Sequence, residues 1–146
     1  MRRAAVAAAV IALILGACGG SGDPDSVTID SEWVEFCGHA TAMLTQSDVS
    51  HSPDPTALKT TWETTGQLFA AMQASAPLEV QGAVKILATN WAARQAIFER
   101  YNYLVSEMAA VPEVSKELDD LVRATEVVEA NTTLSRTTIS KCGISE

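Results

Sequence analysis

Three cysteines carry the side chains of this chain that are best suited to covalent chemistry. A thiol can accept a lipid, pair with a second thiol in a disulfide, or bind a metal ion as the thiolate. Cys18 differs from the other two because it ends the run Leu-Gly-Ala-Cys, directly after the apolar residues 4–15. Cys37 and Cys142 lie in the more polar sequence that follows. We therefore treat Cys18 as a candidate for modification and the other two as a candidate pair.

Residues 1–17 have the parts of an export signal. Arg2 and Arg3 form a short positive region, and the apolar segment after them is too short to span a bilayer, which needs about 20 residues. The pattern of Leu, two small residues and Cys then resembles the lipobox of bacterial lipoproteins. In that family a diacylglycerol is attached to the cysteine thiol and the chain is cleaved just before it. The resemblance implies lipidation of Cys18; the alternative is a secreted protein with an incidental cysteine near its cleavage site.

This interpretation divides the chain into a signal peptide at residues 1–17, a lipidated tether at residues 18–30 and a domain at residues 31–146. The tether is rich in Gly, Ser, Asp and Pro, a composition typical of flexible linkers. Because no second apolar run approaches spanning length, we expect the lipid alone to hold the protein at the extracytoplasmic face of the cell membrane.

The charge of the chain disfavours some classes of partner. Its net charge of −8 becomes −10 once Arg2 and Arg3 are removed with the signal. An acidic chain repels the phosphates of nucleic acids and of anionic lipid headgroups. We therefore expect no nucleic-acid partner, and membrane contact through the anchor rather than through the domain surface.

Export would also decide the state of the two remaining cysteines. Disulfides form and persist in oxidising compartments, and Cys37 and Cys142 are the only pair left after Cys18 is modified. The sequence therefore predicts a disulfide between them. A free thiol or a metal ligand remains an alternative, although sulfur-rich metal sites usually need more ligands at closer spacing.

The domain is predicted to be all-α, an up-down four-helix bundle closed by this disulfide. Apolar residues recur at helical spacing in four segments, and capping residues or prolines mark where the segments begin. The predicted helices span residues 31–47, 54–75, 77–108 and 112–140. Short loops make successive helices antiparallel, so the start of the first and the end of the fourth share one end of the bundle, near Cys37 and Cys142.

The sequence resembles a loose class of small, uncharacterised actinobacterial lipoproteins and secreted proteins. The resemblance covers nearly the whole chain and is carried by Leu-Gly-Ala-Cys, Phe36-Cys37, the Ala76-Pro77 that opens the third helix, and Cys142-Gly143. It implies a helical fold closed by one disulfide. It implies no activity and adds no site residues.

Aromatic residues on the third predicted helix are the best candidates for a ligand site. Trp91, Phe98 and Tyr101 recur at helical spacing and could line an apolar pocket between helices. Aromatic residues at this spacing also form ordinary hydrophobic cores. The third helix favours the pocket somewhat because it is apolar on two sides and must be covered on both, by other helices or by a dimer contact.

The remaining polar residues do not form a catalytic or metal-binding motif. His39 and Met43 share a helical face, a spacing that could bind haem or copper, but the only other imidazole belongs to His51 in a loop. The chain lacks Gly-x-Ser-x-Gly, and none of its glutamates belongs to a Glu-x-x-His motif. We expect no metal, no cofactor and no enzymatic activity.

Two functional hypotheses are favoured over a third, an envelope enzyme, which only polar side chains that converge in a cleft would support. The first is a non-enzymatic envelope lipoprotein whose helical domain is a structural module or binds another envelope protein. The second is a lipid-anchored binding protein that holds a small hydrophobic ligand inside the bundle. A cavity of several hundred Å³ lined by Trp91 and Phe98 would favour the second hypothesis. A filled core with an apolar patch outside would favour the first.

Overall fold

The computed structural model describes residues 28–46 and 54–144, and this part of the chain is all-helical, as predicted. The signal peptide, most of the tether and the loop predicted near residues 49–53 lie outside the described residues. The described part contains six helices, which are α1 Val34–Gln46, α2 Pro55–Ser75, α3 Leu78–Arg100, α4 Val105–Ala109, α5 Pro112–Arg123 and α6 Thr125–Cys142.

The start of α2 follows the predicted capping chemistry. The Asp54 carboxylate accepts a hydrogen bond from the backbone N–H of Thr56 at 3.1 Å, and Pro55 occupies the first helical position. Farther along α2, Thr61 and Thr65 are buried, and their hydroxyls donate to backbone carbonyls one turn earlier. These polar side chains can therefore enter the core with their hydrogen bonds made.

The end of α3 differs from the sequence prediction, which continued the helix to Met108. The backbone N–H of Tyr103 donates to the carbonyl of Phe98 at 2.9 Å, and that of Asn102 donates to Glu99 at 3.1 Å. This pair of bonds is a Schellman motif, with Asn102 in the left-handed region at φ 49°. The third predicted helix is therefore α3 followed by a turn and the short α4.

The fourth predicted helix is also divided. The sequence predicts one helix from Pro112 to about residue 140, whereas Ala124 adopts φ −54° and ψ 130° and separates α5 from α6. The N–H groups of Val127 and Val128 bond to the Ala124 carbonyl and begin α6 anew. α6 then continues through the Thr-rich segment, where fraying was expected, and ends at Gly143 in the left-handed conformation at φ 65°.

A disulfide joins the two ends of the helical domain. Cys37 of α1 and Cys142 of α6 are bonded, with their Cα atoms 5.4 Å apart and a sequence separation of 105 residues. This confirms the predicted pairing. The bond lies in a cluster of buried residues from α1, α2 and α3, together with Trp33 of the turn before α1, whose members include Phe36, Met72 and Val84.

The longer helices contact one another in a closed order. α1 contacts α2 and α6, α2 contacts α3, and α3 contacts α6. α5 packs beside α3 and α6, with α4 against it. Across residues 28–46 and 54–144, we find no helix that is both long enough and apolar enough to cross a bilayer.

Candidate functional site

An apolar cleft of about 650 Å³ lies between α1, α2, α3 and α6. This volume falls within the range of about 300–1,000 Å³ that is typical of small-molecule sites. Its walls are mostly apolar, and their residues come from four helices and two adjoining segments. They are Ala40, Met43 and Leu44 of α1, Phe69 and Met72 of α2, Leu87, Asn90, Trp91 and Arg94 of α3, Val127, Val128, Asn131, Thr132, Leu134, Ser135, Thr138 and Ile139 of α6, and Val122 and Ile144.

The side chains of α6 help to explain why the cleft is not filled. Val127, Asn131, Ser135 and Thr138 line it at helical spacing, three or four residues apart. Each of these side chains is short. Two helices that pack through short side chains on one stretch of a shared face leave space that longer residues would occupy. The larger Val128, Leu134 and Ile139 of α6 also line the cleft, so the short side chains account for part of the open space.

One wall of the cleft is formed by Trp91, which is stacked on Trp62 of α2 outside the lining. The rings of Trp62 on α2 and Trp91 on α3 have centroids 4.1 Å apart and planes inclined by 25°. The indole N–H of Trp91 donates to the backbone carbonyl of Trp62 at 3.2 Å. Phe69 lies 5.8 Å from Trp91, centroid to centroid. These contacts hold the Trp91 ring in one orientation at the cleft before any ligand arrives.

Arg94 brings a positive charge to this wall. Its guanidinium carbon lies 5.2 Å from the ring centroids of both Trp62 and Trp91, within the range of a cation–π interaction. The side chain is half-buried, and burial lowers the pKa of Arg94 from its ordinary value. Among the described residues that line the cleft, Arg94 is the only one with a charged side chain.

Asn90 secures the floor of the cleft. Its side chain is buried, and its amide nitrogen donates to the backbone carbonyl of Leu121 at 2.8 Å. Leu121 lies in the last turn of α5, where carbonyl groups lose their helical partners because Ala124 is extended. The contact therefore compensates for the break that the sequence prediction missed.

The structure separates the three predicted ligand residues. Trp91 lines the cleft, but Phe98 and Tyr101 do not. Phe98 packs 4.4 Å from Trp62, centroid to centroid, and 6.2 Å from Tyr103. Tyr101 packs against the buried cluster that contains Ile97, Met108 and Val114. A ligand role for Phe98 and Tyr101 therefore stays a prediction, without a shared cavity to support it.

The other sequence candidates lie as follows. Cys18 and His51 fall outside the described residues, so lipidation of Cys18 stays a prediction. His39 Nε2 lies 3.9 Å from a carboxylate oxygen of Glu35, and Met43 lines the cleft. Within the described ranges, no group of three or more His, Cys, Asp or Glu side chains is arranged to hold a metal ion.

Sequence reasoning overlooked Arg94 and the α6 wall. A signal for Arg94 was present, because a cation three residues after Trp91 interrupts an otherwise apolar helical face. No comparable signal identified the α6 residues, since short polar side chains usually face solvent. Their role emerges only when α6 is placed against α3.

The side chains that line the cleft are better suited to binding a ligand than to catalysing a reaction. The cleft offers apolar walls, one cation and several amides and hydroxyls, and no histidine, cysteine or carboxylate is among the described residues that line it. Comparison of the chain with known protein families, with curated proteins and with solved structures finds no match. The geometry of the cleft is therefore the feature from which a function can be inferred.

Proposed function

We propose that this chain is a lipid-anchored protein of the cell envelope and that its helical domain is a non-enzymatic module that binds a small, largely apolar ligand. The observation that carries this proposal is the cleft of about 650 Å³ between α3 and α6. The location in the envelope is supported by the signal-like residues 1–17 and by the Leu-Gly-Ala-Cys pattern that ends at Cys18.

The cleft has the properties that favour apolar binding. Burying apolar surface contributes roughly 25 cal/mol per Å², so a ligand that covers the walls gains free energy from its hydrocarbon part. The stack of Trp62 on Trp91 and the nearby disulfide fix the walls in advance. A preformed site loses less conformational entropy on binding than a site that must first be ordered.

The bundle interpretation fits this function. We take α1, α2, α3 and α6 as the four helices of an up-down bundle, with α4 and α5 as an insertion at its side. The closed order of contacts among these four helices supports that assignment. Ligand sites in helical bundles are commonly built from side chains on facing helices, as in this cleft.

A protein partner is the second candidate. Four apolar side chains at the mouth of the cleft, which we call the cleft rim, are each about half exposed: Leu44, Val122, Val128 and Ile139. An exposed apolar patch of this kind favours an interaction surface. An envelope protein that docks an apolar segment on the cleft rim would use the same face of the domain. A module that binds another envelope protein is therefore the alternative function.

A cleft-filling variant tests the proposed function. Ser135 lines the cleft, whereas Thr133 is exposed on α6 and does not, so Ser135→Phe and Thr133→Phe form a matched pair. Nile red, an uncharged apolar dye, should bind the full chain with a rise in fluorescence. We expect Thr133→Phe to bind the dye as tightly as the unmodified protein does. Ser135→Phe should bind the dye at least about tenfold more weakly, which corresponds to a loss of roughly 1.4 kcal/mol in binding free energy.

Circular dichroism checks that both variants keep their helical content. Equal dye binding by both variants, with folding intact, would contradict a ligand site in the cleft. Dye binding lost in both variants would also count against it, because the loss would not depend on position within α6.

A further inference from the structure

We infer that the ligand of this cleft is an anionic amphiphile, an apolar chain whose single acidic group, a carboxylate or a phosphate, pairs with Arg94. This inference rests on the proposed function and specifies the chemistry of the molecule that the cleft holds. It follows from the position of one cation in a cleft that is otherwise apolar or neutral.

The cleft leaves Arg94 without an anion. In the part of the chain that the structure describes, the Arg94 guanidinium has no ion pair and no hydrogen bond, and its central carbon lies 5.2 Å from the ring centroids of both Trp62 and Trp91. Two of the other three arginines in the described residues have carboxylate partners, since Arg100 lies 2.7 Å from Glu117 and Arg123 lies 2.6 Å from Asp119, whereas the third, Arg136, is exposed to solvent. A half-buried cation is costly to desolvate unless an anion accompanies it.

The composition of the chain sharpens this contrast. The sequence has 18 acidic residues and only 10 basic ones, so carboxylates are abundant. None of them is among the described residues that line the cleft. A guanidinium presents several N–H donors in a plane that matches a carboxylate or phosphate, and stacking on aromatic rings leaves its edge able to donate. Arg94 therefore brings to the cleft the charge and the N–H donors that an anion receptor needs.

The position of Arg94 divides the cleft into a polar end and an apolar end. α3 and α6 run antiparallel, because Asn90 contacts Leu121 just before α6, while Val84, earlier in α3, belongs to the buried cluster against which Leu134 packs. Arg94 is the last α3 residue that lines the cleft, so it lies at the end beside the α5–α6 break.

The opposite end lies near the disulfide. Leu87 of α3 lies seven residues before Arg94, about 10 Å along the helix axis at 1.5 Å per residue. Ile144, two residues after Cys142, also lines the cleft. An acidic head at Arg94 would thus place a hydrocarbon body along Trp91 and Leu87 toward Ile144.

Three probes with the same hydrocarbon chain test this inference: dodecanoate, dodecyl phosphate and uncharged dodecanol, each below its aggregation concentration. Binding to the full chain is measured by calorimetry at neutral pH. We expect both anions to bind about 10- to 100-fold more tightly than dodecanol, because hydrogen bonds to charged groups contribute at this level. The stronger binder of the two anions identifies the preferred head group, and either preference supports the inference.

A charge variant assigns the preference to one side chain. Arg94→Gln should bind dodecanoate about as weakly as dodecanol, within about threefold, since a neutral amide lacks the charge-assisted contact. Arg136 is exposed on α6 and does not line the cleft, so Arg136→Gln removes the same charge elsewhere and should keep the full preference. Thermal unfolding confirms that both variants fold.

The outcomes separate this inference from the proposed function. Equal binding of dodecanol and dodecanoate by the unmodified protein would overturn the anion inference and leave an apolar-ligand site standing. This comparison needs no variant, so it decides the matter even if Arg94→Gln fails to fold. Equal loss in Arg94→Gln and Arg136→Gln would overturn the role of Arg94. Binding of none of the three probes, together with no binding of Nile red, would overturn the proposed function as well.

Discussion

The side-chain amide of Asn90 donates a hydrogen bond to the backbone carbonyl of Leu121, 2.8 Å away. The contact joins α3 to the last turn of α5, immediately before Ala124 leaves the helical conformation. Residues on both sides of this break, Val122 and Val127, line the cleft. The shape of the cleft therefore depends on how the break is held, and Asn90 is the side chain that holds it.

Removal of this amide should destabilise the domain. Asn90→Ala leaves the Leu121 carbonyl without its partner and opens a small void, so we expect the free energy of unfolding to fall by about 1–3 kcal/mol. Urea unfolding measures the change. Asn131→Ala is the matched control, because Asn131 also lines the cleft but is exposed, and it should change the stability by less than about 0.5 kcal/mol. Similar losses in both variants would contradict a specific role for Asn90.

Substitution of alanine for two different glycines should change the free energy of unfolding in opposite directions. Gly82 lies inside α3, and a Cβ added there meets no heavy atom within 4 Å. Gly82→Ala should raise the free energy of unfolding by about 0.5–1 kcal/mol, because alanine has the better helix propensity. Gly143 ends α6 in the left-handed region at φ 65°, so Gly143→Ala should lower the free energy of unfolding by about 1 kcal/mol.

Thermal or urea unfolding of the two glycine variants provides the measurement. Each variant serves as the control for the other, since both add one methyl group at a glycine of the same domain. A loss of stability in Gly82→Ala, or a gain in Gly143→Ala, would contradict the backbone conformations described for these positions.

The sequence predicted those features of the fold that local chemistry controls. Asp54 followed by Pro55 is a strong helix start, and Gly143 is a strong helix stop, so both boundaries followed from single residues. The pairing of Cys37 with Cys142 followed once Cys18 was assigned to the lipid. The turn after α3 had a weaker signal, because Asn102 takes the left-handed position less often than glycine does.

The break at Ala124 could not be predicted in this way. Alanine has the highest intrinsic helix propensity, and neither glycine nor proline is next to this position. The tertiary contact from Asn90 stabilises the break, and a contact over such a distance in sequence leaves no local pattern. The cleft could not be predicted from the sequence for the same reason, because its shape depends on which side chains of α6 face α3.

The disulfide should contribute much of the stability. It connects residues separated by 105 positions, and closure of a loop of about 100 residues contributes about 4–5 kcal/mol in the chain-entropy model. Cys37→Ser should therefore lower the melting temperature strongly under non-reducing conditions, and a reductant should have the same effect on the unmodified protein. A Cys37→Ser variant that melts at the original temperature would contradict this role.

Alkaline pH should destabilise the protein partly through Tyr103. Burial, followed by the negative charge of Glu99, raises the pKa of the Tyr103 phenol above its ordinary value of about 10. The neutral phenol thus favours the folded state below about pH 10, and this contribution is lost as pH rises through the raised pKa. We expect the free energy of unfolding to fall less steeply above about pH 10 in Tyr103→Phe than in the unmodified protein.

Near neutral pH the same variant should be as stable as the unmodified protein or more stable. The Tyr103 hydroxyl is buried, and although the side chains of Gln95 and Glu99 lie near it, no group in the described residues meets it with full hydrogen-bond geometry. Removal of an unsatisfied buried polar atom costs little. Identical pH profiles for Tyr103→Phe and the unmodified protein above pH 10 would contradict the assigned pKa direction.

The lipid anchor has a direct test in cells. Cys18→Ser removes the thiol that the lipobox resemblance assigns to the lipid, so the protein should move from the membrane fraction to the soluble fraction. Ser21→Ala is the control, because it changes a residue of the predicted tether close to Cys18 but leaves the anchoring thiol and the disulfide in place. A Cys18→Ser protein that fractionates with membranes as before would contradict anchoring at this residue.

Occupation of the cleft beside Trp91 by an apolar ligand can be measured directly. The chain has three tryptophans, and two-dimensional ¹H–¹⁵N NMR resolves their indole N–H signals. Trp91 lines the cleft, whereas Trp33 is buried in the cluster beside the disulfide. On titration with dodecanoate we expect the Trp91 signal to shift saturably and by clearly more than the Trp33 signal, because Trp33 does not itself line the cleft. Equal shifts of both signals, or no shift of Trp91 at saturating dodecanoate and dodecanol, would contradict binding in the cleft.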